Sequence, residues 1–471
     1  MNQILKIAIP IVICILEIMA LQRNGGGEFA YVIIAVTLPF SFYYFFRIDS
    51  LKKHFYKLSL FAYCFFSLLI PAAFRFVPYS DAKMYREVYE SSFTLLSSFS
   101  IFILFSFFFG IFVFSNLFQR ESAQQDPPKQ IHNIPNKPFV VFFIIIYSIT
   151  LICWRFGIGV MGAEYVTLPF HLTAVLWLSR ADFIPIIFLF MIARYRLHLS
   201  DKKSLIIFLA WGLWGVLEMI ASLSKASALT AFLPLVIYYL LISQYSKKFI
   251  VRLSILCLVI LVIYLGFYRV IEALRESGGT SITKEDTLYV ATWGKDDVQN
   301  DFVRPFTRIF MSGFVFLKVA PYVENHQLFD FSLAGEIIDI GGTDKFVTYI
   351  VDSYDEGVAH SSGASGIVDA LLYGGQGTCM LFVFFLAAIA CYADSKSCPG
   401  NSFVLAAAWK YYYILIYRTS FSIFLHRDIV VTFLVAFIMI IFFNKKLNKD
   451  SDLQLKNNSD NERMVHGSHE T

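Results

Sequence analysis

Apolar residues run along this chain in blocks of fifteen to about thirty, separated by short polar stretches. The blocks fall at 4–21, 29–46, 58–74, 92–118, 138–154, 171–193, 204–223, 227–244, 250–268, 366–393, 402–417 and 429–443. About twenty apolar residues in an α-helix cover a hydrocarbon core of about 30 Å, so each block predicts one membrane span, twelve in all. The block at 171–193 is interrupted by Arg180 and Asp182, and its approach, 163–178, also reads as a re-entrant segment. Between the ninth and tenth blocks the pattern stops. Residues 269–365 carry Arg269, Arg275, Arg304, Arg308, Lys318 and Lys345 among acids, glycines and aromatics, which predicts one large polar loop. The expected fold class is an all-α polytopic membrane protein.

Composition agrees with that class. Apolar residues make up 57% of the chain and charged residues 16%, with a mean hydropathy of +0.62. Soluble domains sit nearer half apolar and a quarter charged, so a soluble enzyme is excluded. Lysine and arginine then orient the spans. With a cytoplasmic N-terminus, the inner segments hold Arg47, Lys52, Lys53, Lys57, Arg120, Lys129, Lys137, Arg194, Arg196, Lys202, Lys203, Lys247, Lys248 and Arg252. The short outer loops hold far fewer, so both termini are expected inside and the large loop outside. The chain divides into a four-span bundle over 1–120, a proline-containing cytoplasmic linker over 121–137 and central spans over 138–268. The large extracytoplasmic loop over 269–365, three spans over 366–443 and a polar tail over 444–471 follow.

The net charge of +4 adds little, and the basic tail (Lys445, Lys446, Lys449, Lys456) marks an inner membrane face rather than a nucleic-acid partner. The first span lacks a small-residue cleavage site and is followed at once by another, so it is expected to stay on the protein. Asn457-Asn458-Ser459 matches a glycosylation acceptor but falls on the cytoplasmic tail. Six of the seven cysteines fall in spans and one in an inner loop, which rules out a disulfide framework in the large loop. No CxxC or close His/Cys pairing suggests zinc, and neither a metal nor another cofactor is expected.

Ionisable residues within a bilayer are costly and are functional candidates by default. Glu17, Arg180, Asp182, Glu218, Asp369 and Lys410 qualify. Glu218, Ser222 and Lys225 share one helical face at the outer end of their span. An internal ion pair locking two helices is the competing explanation for any of them. In the outer loops Asp81, Tyr85 and Tyr89 recur at helical spacing, which suits a sugar or, equally, an interfacial aromatic belt. Arg269, Arg275, Arg304, Arg308, Arg418 and Arg427 have the right chemistry for a diphosphate, because guanidinium groups grip phosphate oxygens bidentately and keep their charge. Lipid head groups would also satisfy them. Ser361-Ser362-Gly363-Ala364-Ser365-Gly366 forms a loop entering a span, and Gly374-Gly375-Gln376-Gly377 interrupts that span, permitting a helix break or a close backbone approach.

Three stretches together resemble the O-antigen (oligosaccharide repeat-unit) polymerases, the Wzy family. They are Ser222-Leu223-Ser224-Lys225-Ala226-Ser227, the run from Ser361 through Asp369 to Gly374, and Arg418-Thr419-Ser420-Phe421 through His426-Arg427-Asp428. Asp81-Ala82-Lys83-Met84-Tyr85 is similar to an acidic-aromatic motif in the first large outer loop of some members. Many relatives carry arginine after the serine where this chain has Lys225. The layout of about twelve spans, cytoplasmic ends and one dominant periplasmic loop agrees over nearly the whole chain.

The resemblance implies a metal-independent glycosyltransferase of the bacterial inner membrane. It would move a growing glycan from its lipid carrier onto the next undecaprenyl-diphosphate-linked unit. The implied partners are that lipid-linked oligosaccharide, membrane lipid and a chain-length regulator protein. Arg269, Arg275, Arg304, Arg308, Arg418, Arg427 and Lys225 would bind diphosphate, with Asp81 and Tyr85 on sugar. Candidates for the base are His360, His426, Asp428 and Glu272. The alternatives are an O-antigen ligase-type transferase and a polysaccharide flippase or permease.

Overall fold

The computed structural model of the protein describes residues 54–64, 90–118, 136–160, 168–195, 202–224, 328–340 and 366–396, with isolated positions elsewhere. Among the described residues there is no strand. The helices are α1 Phe55–Cys64, α2 Glu90–Leu117, α3 Asn136–Arg155, α4 Leu172–Leu178, α5 Ile184–Tyr195, α6 Lys202–Ser222, α7 Ala334–Ile340 and α8 Gly366–Lys396. Four of these, α2, α3, α6 and α8, contain stretches long and apolar enough to cross a membrane. They match the blocks at 92–118, 138–154, 204–223 and 366–393 to within three residues at every end. The spans expected at 4–21, 29–46, 227–244, 250–268, 402–417 and 429–443 lie outside the described residues, apart from isolated helical positions.

Each long helix keeps one apolar stripe exposed. On α8 it runs through Leu381, Phe385 and Ile389, and on α2 through Phe105, Phe109 and Phe112. Ile206, Leu209 and Leu213 form the stripe on α6, and Val140, Val141, Ile144 and Ile145 that on α3. Such stripes are spaced to lie on one helical face. In water they would be an aggregation surface; against acyl chains they cost nothing, which marks the chain as a membrane protein.

One cluster packs α2 and α8 along their length, with α1 against both. Apolar side chains gain nothing by leaving lipid for one another, so close packing must hold these helices together. Gly110 supplies the close approach: a Cβ there would sit 2.8 Å from that of Ala387 and 3.2 Å from the Phe384 carbonyl oxygen. One turn earlier, Ser106 Oγ donates to the Met380 carbonyl at 2.5 Å. Ser115 then meets Cys391 at 3.6 Å, and Phe118 meets Tyr392. Because numbers rise together along this seam, α2 and α8 run parallel. In contrast, Tyr56 and Lys57 of α1 meet Asp394, so α1 runs antiparallel to α8. The Asp394 carboxylate accepts the backbone N–H of Tyr56 at 2.9 Å and of Lys57 at 3.2 Å, with Lys57 Nζ 3.9 Å away. These are first-turn donors with no partner inside the helix, so a residue more than three hundred positions away caps α1.

The second cluster joins α3, α4–α5 and α6 around a stack of rings. Phe188 of α5 lies flat on Trp211 of α6 at 3.8 Å, and Trp211 on Trp214 at 4.5 Å. Phe142 of α3 closes the stack on Phe188 and Trp211. Tyr147 Oη donates to the Ala210 carbonyl, and further along Thr150 meets Trp214 and Glu218. α3 and α6 are therefore parallel. α4 and α5 lie in the chain between these two parallel helices, with Phe188 of α5 on Trp211 of α6. Of the expected span at 171–193 the structure shows two short helices joined by a turn; residues 163–165 and 167 of the re-entrant alternative lie outside the described residues. A wide π-turn at Ser179–Phe183 joins α4 to α5. Pro185 explains its position, since proline removes one helical donor and crowds the carbonyl four residues back.

Candidate functional site

The buried polar groups of the second cluster converge one turn below the C-terminal end of α6. The π-turn delivers Arg180, which is 2% exposed, beside Glu218, which is 5% exposed. Arg180 Nε donates to both carboxylate oxygens, at 2.9 and 3.0 Å. Nη2 lies 2.8 Å from Oε1 in ion-pair contact but without hydrogen-bond alignment. Nη1 donates to the Ile158 carbonyl at 2.8 Å, in the turn that follows α3. Thr150 Oγ1 donates to the other Glu218 oxygen at 2.9 Å and accepts from Trp214 Nε1 at 3.1 Å. All three helices are thereby tied at one end by a neutral, enclosed network. Arg180 and Glu218 form the internal ion pair that is one of the two expectations for them.

That network also sets the turn that begins Ser222-Leu223-Ser224-Lys225. Ser222 Oγ donates to the Glu218 carbonyl at 2.6 Å and accepts the Ser224 N–H at 3.3 Å. Leu223 takes the left-handed conformation, φ 49°, which ends the helix there. Glu218 and Ser222 do share a face as the spacing predicts; Lys225 lies outside the described residues.

In the first cluster, the glycine run breaks α8 as expected. Gly374 (φ −157°, ψ 18°) and Gly375 (φ 75°, ψ −172°) leave the helical conformation. The second of these geometries is open essentially to glycine alone. Residues 328–330 are laced into the break: the Asp330 N–H donates to the Gly374 carbonyl at 3.3 Å, and the Gly377 N–H donates to the Leu328 carbonyl. Thr378 Oγ1 donates to the Gly374 carbonyl at 2.7 Å. Above the break, Asp369 is fully buried and accepts from the Thr343 hydroxyl. Phe316 stacks on Phe99 of α2 at 4.6 Å, while Val319, Ile337 and Phe346 complete the core. Phe316, Val319, Val323, Ile337 and Phe346 thus share one core with α2 and α8, and Leu328 and Asp330 are bonded to α8.

The sequence-based site residues His360, His426, Asp428, Glu272, Arg269, Arg275, Arg304, Arg308, Arg418, Arg427, Lys225, Asp81 and Tyr85 lie outside the described residues. So do Glu17, Lys410 and the side chain of Asp182. Sequence reasoning missed the Asp394 cap, the Thr343 partner of Asp369 and the docking of 328–330. An acid two residues from the end of a span was the available signal for the first. Among the described residues no group of three or more His, Cys, Asp and Glu side chains is arranged to hold a metal ion. Comparison of the chain with protein-family models, curated proteins and solved structures finds no match.

Proposed function

We propose that this protein polymerises oligosaccharide repeat units carried on undecaprenyl diphosphate, at the outer face of a bacterial inner membrane. Both termini are cytoplasmic in this reading, as the lysine and arginine distribution implies. The growing glycan is transferred to the acceptor hydroxyl of the next lipid-linked unit, and the lipid diphosphate leaves. Arg269, Arg275, Arg304, Arg308, Arg418, Arg427 and Lys225 neutralise the diphosphates, placing fixed positive charge where negative charge develops. One of His360, His426, Asp428 and Glu272 takes the hydroxyl proton.

The observation that supports this most is the build of the stretch from Ser361 to Gly374, one of those that carry the resemblance. Its helical half is the buried first segment of α8, with Asp369 inside, and it ends in a break to which the large loop is bonded. A transferase that reads lipid-linked sugars needs its polar loop fixed at the membrane surface, and the bonding of Leu328 and Asp330 into the break of α8 supports such a position. The directions of α1, α2, α3, α6 and α8 also agree with the proposed topology: α2 and α8 enter from one side, and five expected spans lie between them.

Disrupting the gene and resolving the surface glycan on a gel tests the reading. Loss of a polymerase leaves lipid cores capped by a single repeat unit. Bare lipid core would overturn the proposal, since that is the outcome for a ligase or a flippase.

A further inference from the structure

The segment bonded into the α8 break carries exposed apolar side chains. Leu328 is 63% exposed, Phe329 54% and Phe331 62%. Three aromatic or aliphatic side chains within four residues are a poor composition for a loop in water. Their placement gives them a partner.

Gly377 follows the break in α8. It stands four residues before Leu381 and eight before Phe385, so these three positions lie on one helical face. Leu381 (48% exposed) and Phe385 (59%) belong to the stripe that faces lipid. At Gly377 the stripe has no side chain of its own. The Phe329 ring occupies the space instead: a Cβ on Gly377 would come within 2.9 Å of Phe329 Cε1 and Cζ. Four helical residues rise about 6 Å, so Phe329 sits about one turn above Leu381 and continues the same apolar surface. The Phe331 ring is held close by as well, 2.9 Å from where a Cβ on Gly374 would be.

Polar atoms in this segment are arranged to tolerate such a location. The Asp330 N–H and the Leu328 carbonyl are taken by α8 backbone. The Asp330 carboxylate accepts the Ser332 N–H at 2.9 Å, and that backbone bond holds its carboxyl below the usual carboxylate range. A charged turn flanked by phenylalanines fits a head-group boundary, with the rings in acyl chains and the carboxylate in water. Beyond it, Glu336 and Asp339 of α7 are exposed, so the chain returns to water within two helical turns.

We infer that residues 328–331 are a membrane-seated tip of the large loop. Bonded into the α8 break, they extend the lipid-facing stripe of α8 with Leu328, Phe329 and Phe331 against the acyl chains of the adjacent leaflet. The loop is thus anchored at a fixed height over the bilayer. This holds whether or not the chain polymerises glycans, because it rests only on α8 and the 328–331 segment.

Nitroxide labels on single cysteines at 328, 329 and 331 test it, in full-length protein lacking its native cysteines. The protein is placed in nanodiscs of phosphatidylethanolamine and phosphatidylglycerol. Phe385→Cys serves as the lipid reference and Glu336→Cys as the water reference. The expected result is that all three tip labels collide with oxygen and exclude a nickel chelate, as the Phe385→Cys label does. Nickel access equal to that of Glu336→Cys would overturn the inference. Exclusion of both probes would overturn it too, since protein or a bound polyprenyl chain would then cover the tip. A benzophenone amino acid at 329 in the cysteine-containing protein checks the result independently. Ultraviolet capture of phospholipid supports the inference, and capture of protein or polyprenyl lipid, or no lipid capture, contradicts it.

Discussion

Removing the carboxylate of Glu218 should damage this protein more than removing both members of its ion pair. Arg180 and Glu218 are 2% and 5% exposed, and neither can reach water without unpacking α5 from α6. Glu218→Gln keeps the shape but turns an acceptor pair into one acceptor and a donor amide. The guanidinium has only donors and cannot lose its charge, so it is left buried and unpaired. Breaking a buried pair in this way costs about 3–5 kcal/mol. Arg180→Met is milder, because a carboxyl left behind can take up a proton and keep the Thr150 bond. In the double variant Arg180→Met/Glu218→Leu no charge remains. Its cost is the orphaned Thr150 hydroxyl and Ile158 carbonyl, about 1–3 kcal/mol, less whatever the new apolar packing returns. Unfolding of purified protein in mixed micelles, followed by the fluorescence of the stacked Trp211 and Trp214, gives the comparison. The double variant should be more stable than Glu218→Gln by about 2 kcal/mol and should retain glycan synthesis. Equal stability of Glu218→Gln and wild type, or a double variant at the sum of the singles, would refute this account. An inactive but stable double variant would show that the pair does chemistry.

Asp394→Ala removes the remote cap of α1 and should cost about 1–2 kcal/mol, as lost N-caps do; Asp394→Asn should recover part of it in the same unfolding assay. Gly375→Ala forces a side chain into a glycine-only conformation and should cost about 1–3 kcal/mol, with protease sensitivity appearing between 328 and 340; a fully stable, protease-resistant variant would deny the break its role. Lysine in place of Arg269, Arg304, Arg418 or Arg427 keeps charge but loses the planar fork. If these residues grip diphosphate in the transition state, each change should slow turnover by about 30- to 1,000-fold, or about 2–4 kcal/mol. Wild-type chain length from all four at matched membrane abundance would mean they meet only head groups.

How much was legible in the sequence follows from the range of each interaction. Long apolar blocks announce helices because lipid leaves the backbone no partner but itself, and α2, α3, α6 and α8 fall where the blocks do. The glycine run over 374–377 was legible as a break for the same local reason. Arg180 and Glu218 stood out as charges in a span, but their pairing across thirty-eight residues depends on how α5 meets α6. The segment 171–193 was ambiguous in sequence because Arg180 and Asp182 interrupt it; it folds as α4 and α5 joined by a π-turn. Nothing local to 328–330 signals that its backbone completes hydrogen bonds of α8, since backbone groups carry no sequence signature. The residues proposed for catalysis and diphosphate binding were read from resemblance and charge.

Reconstitution tests the central claim most directly. The purified protein is placed in liposomes with one undecaprenyl-diphosphate-linked repeat unit as the sole sugar substrate and EDTA present throughout. The account predicts a ladder of lipid-linked glycans growing by whole repeat units, with one undecaprenyl diphosphate released per linkage. Unchanged substrate, with the purified protein still folded, or unmodified substrate carried across the bilayer, would contradict it. A ladder that appears only when magnesium is restored would keep the polymerase and remove the metal-free mechanism.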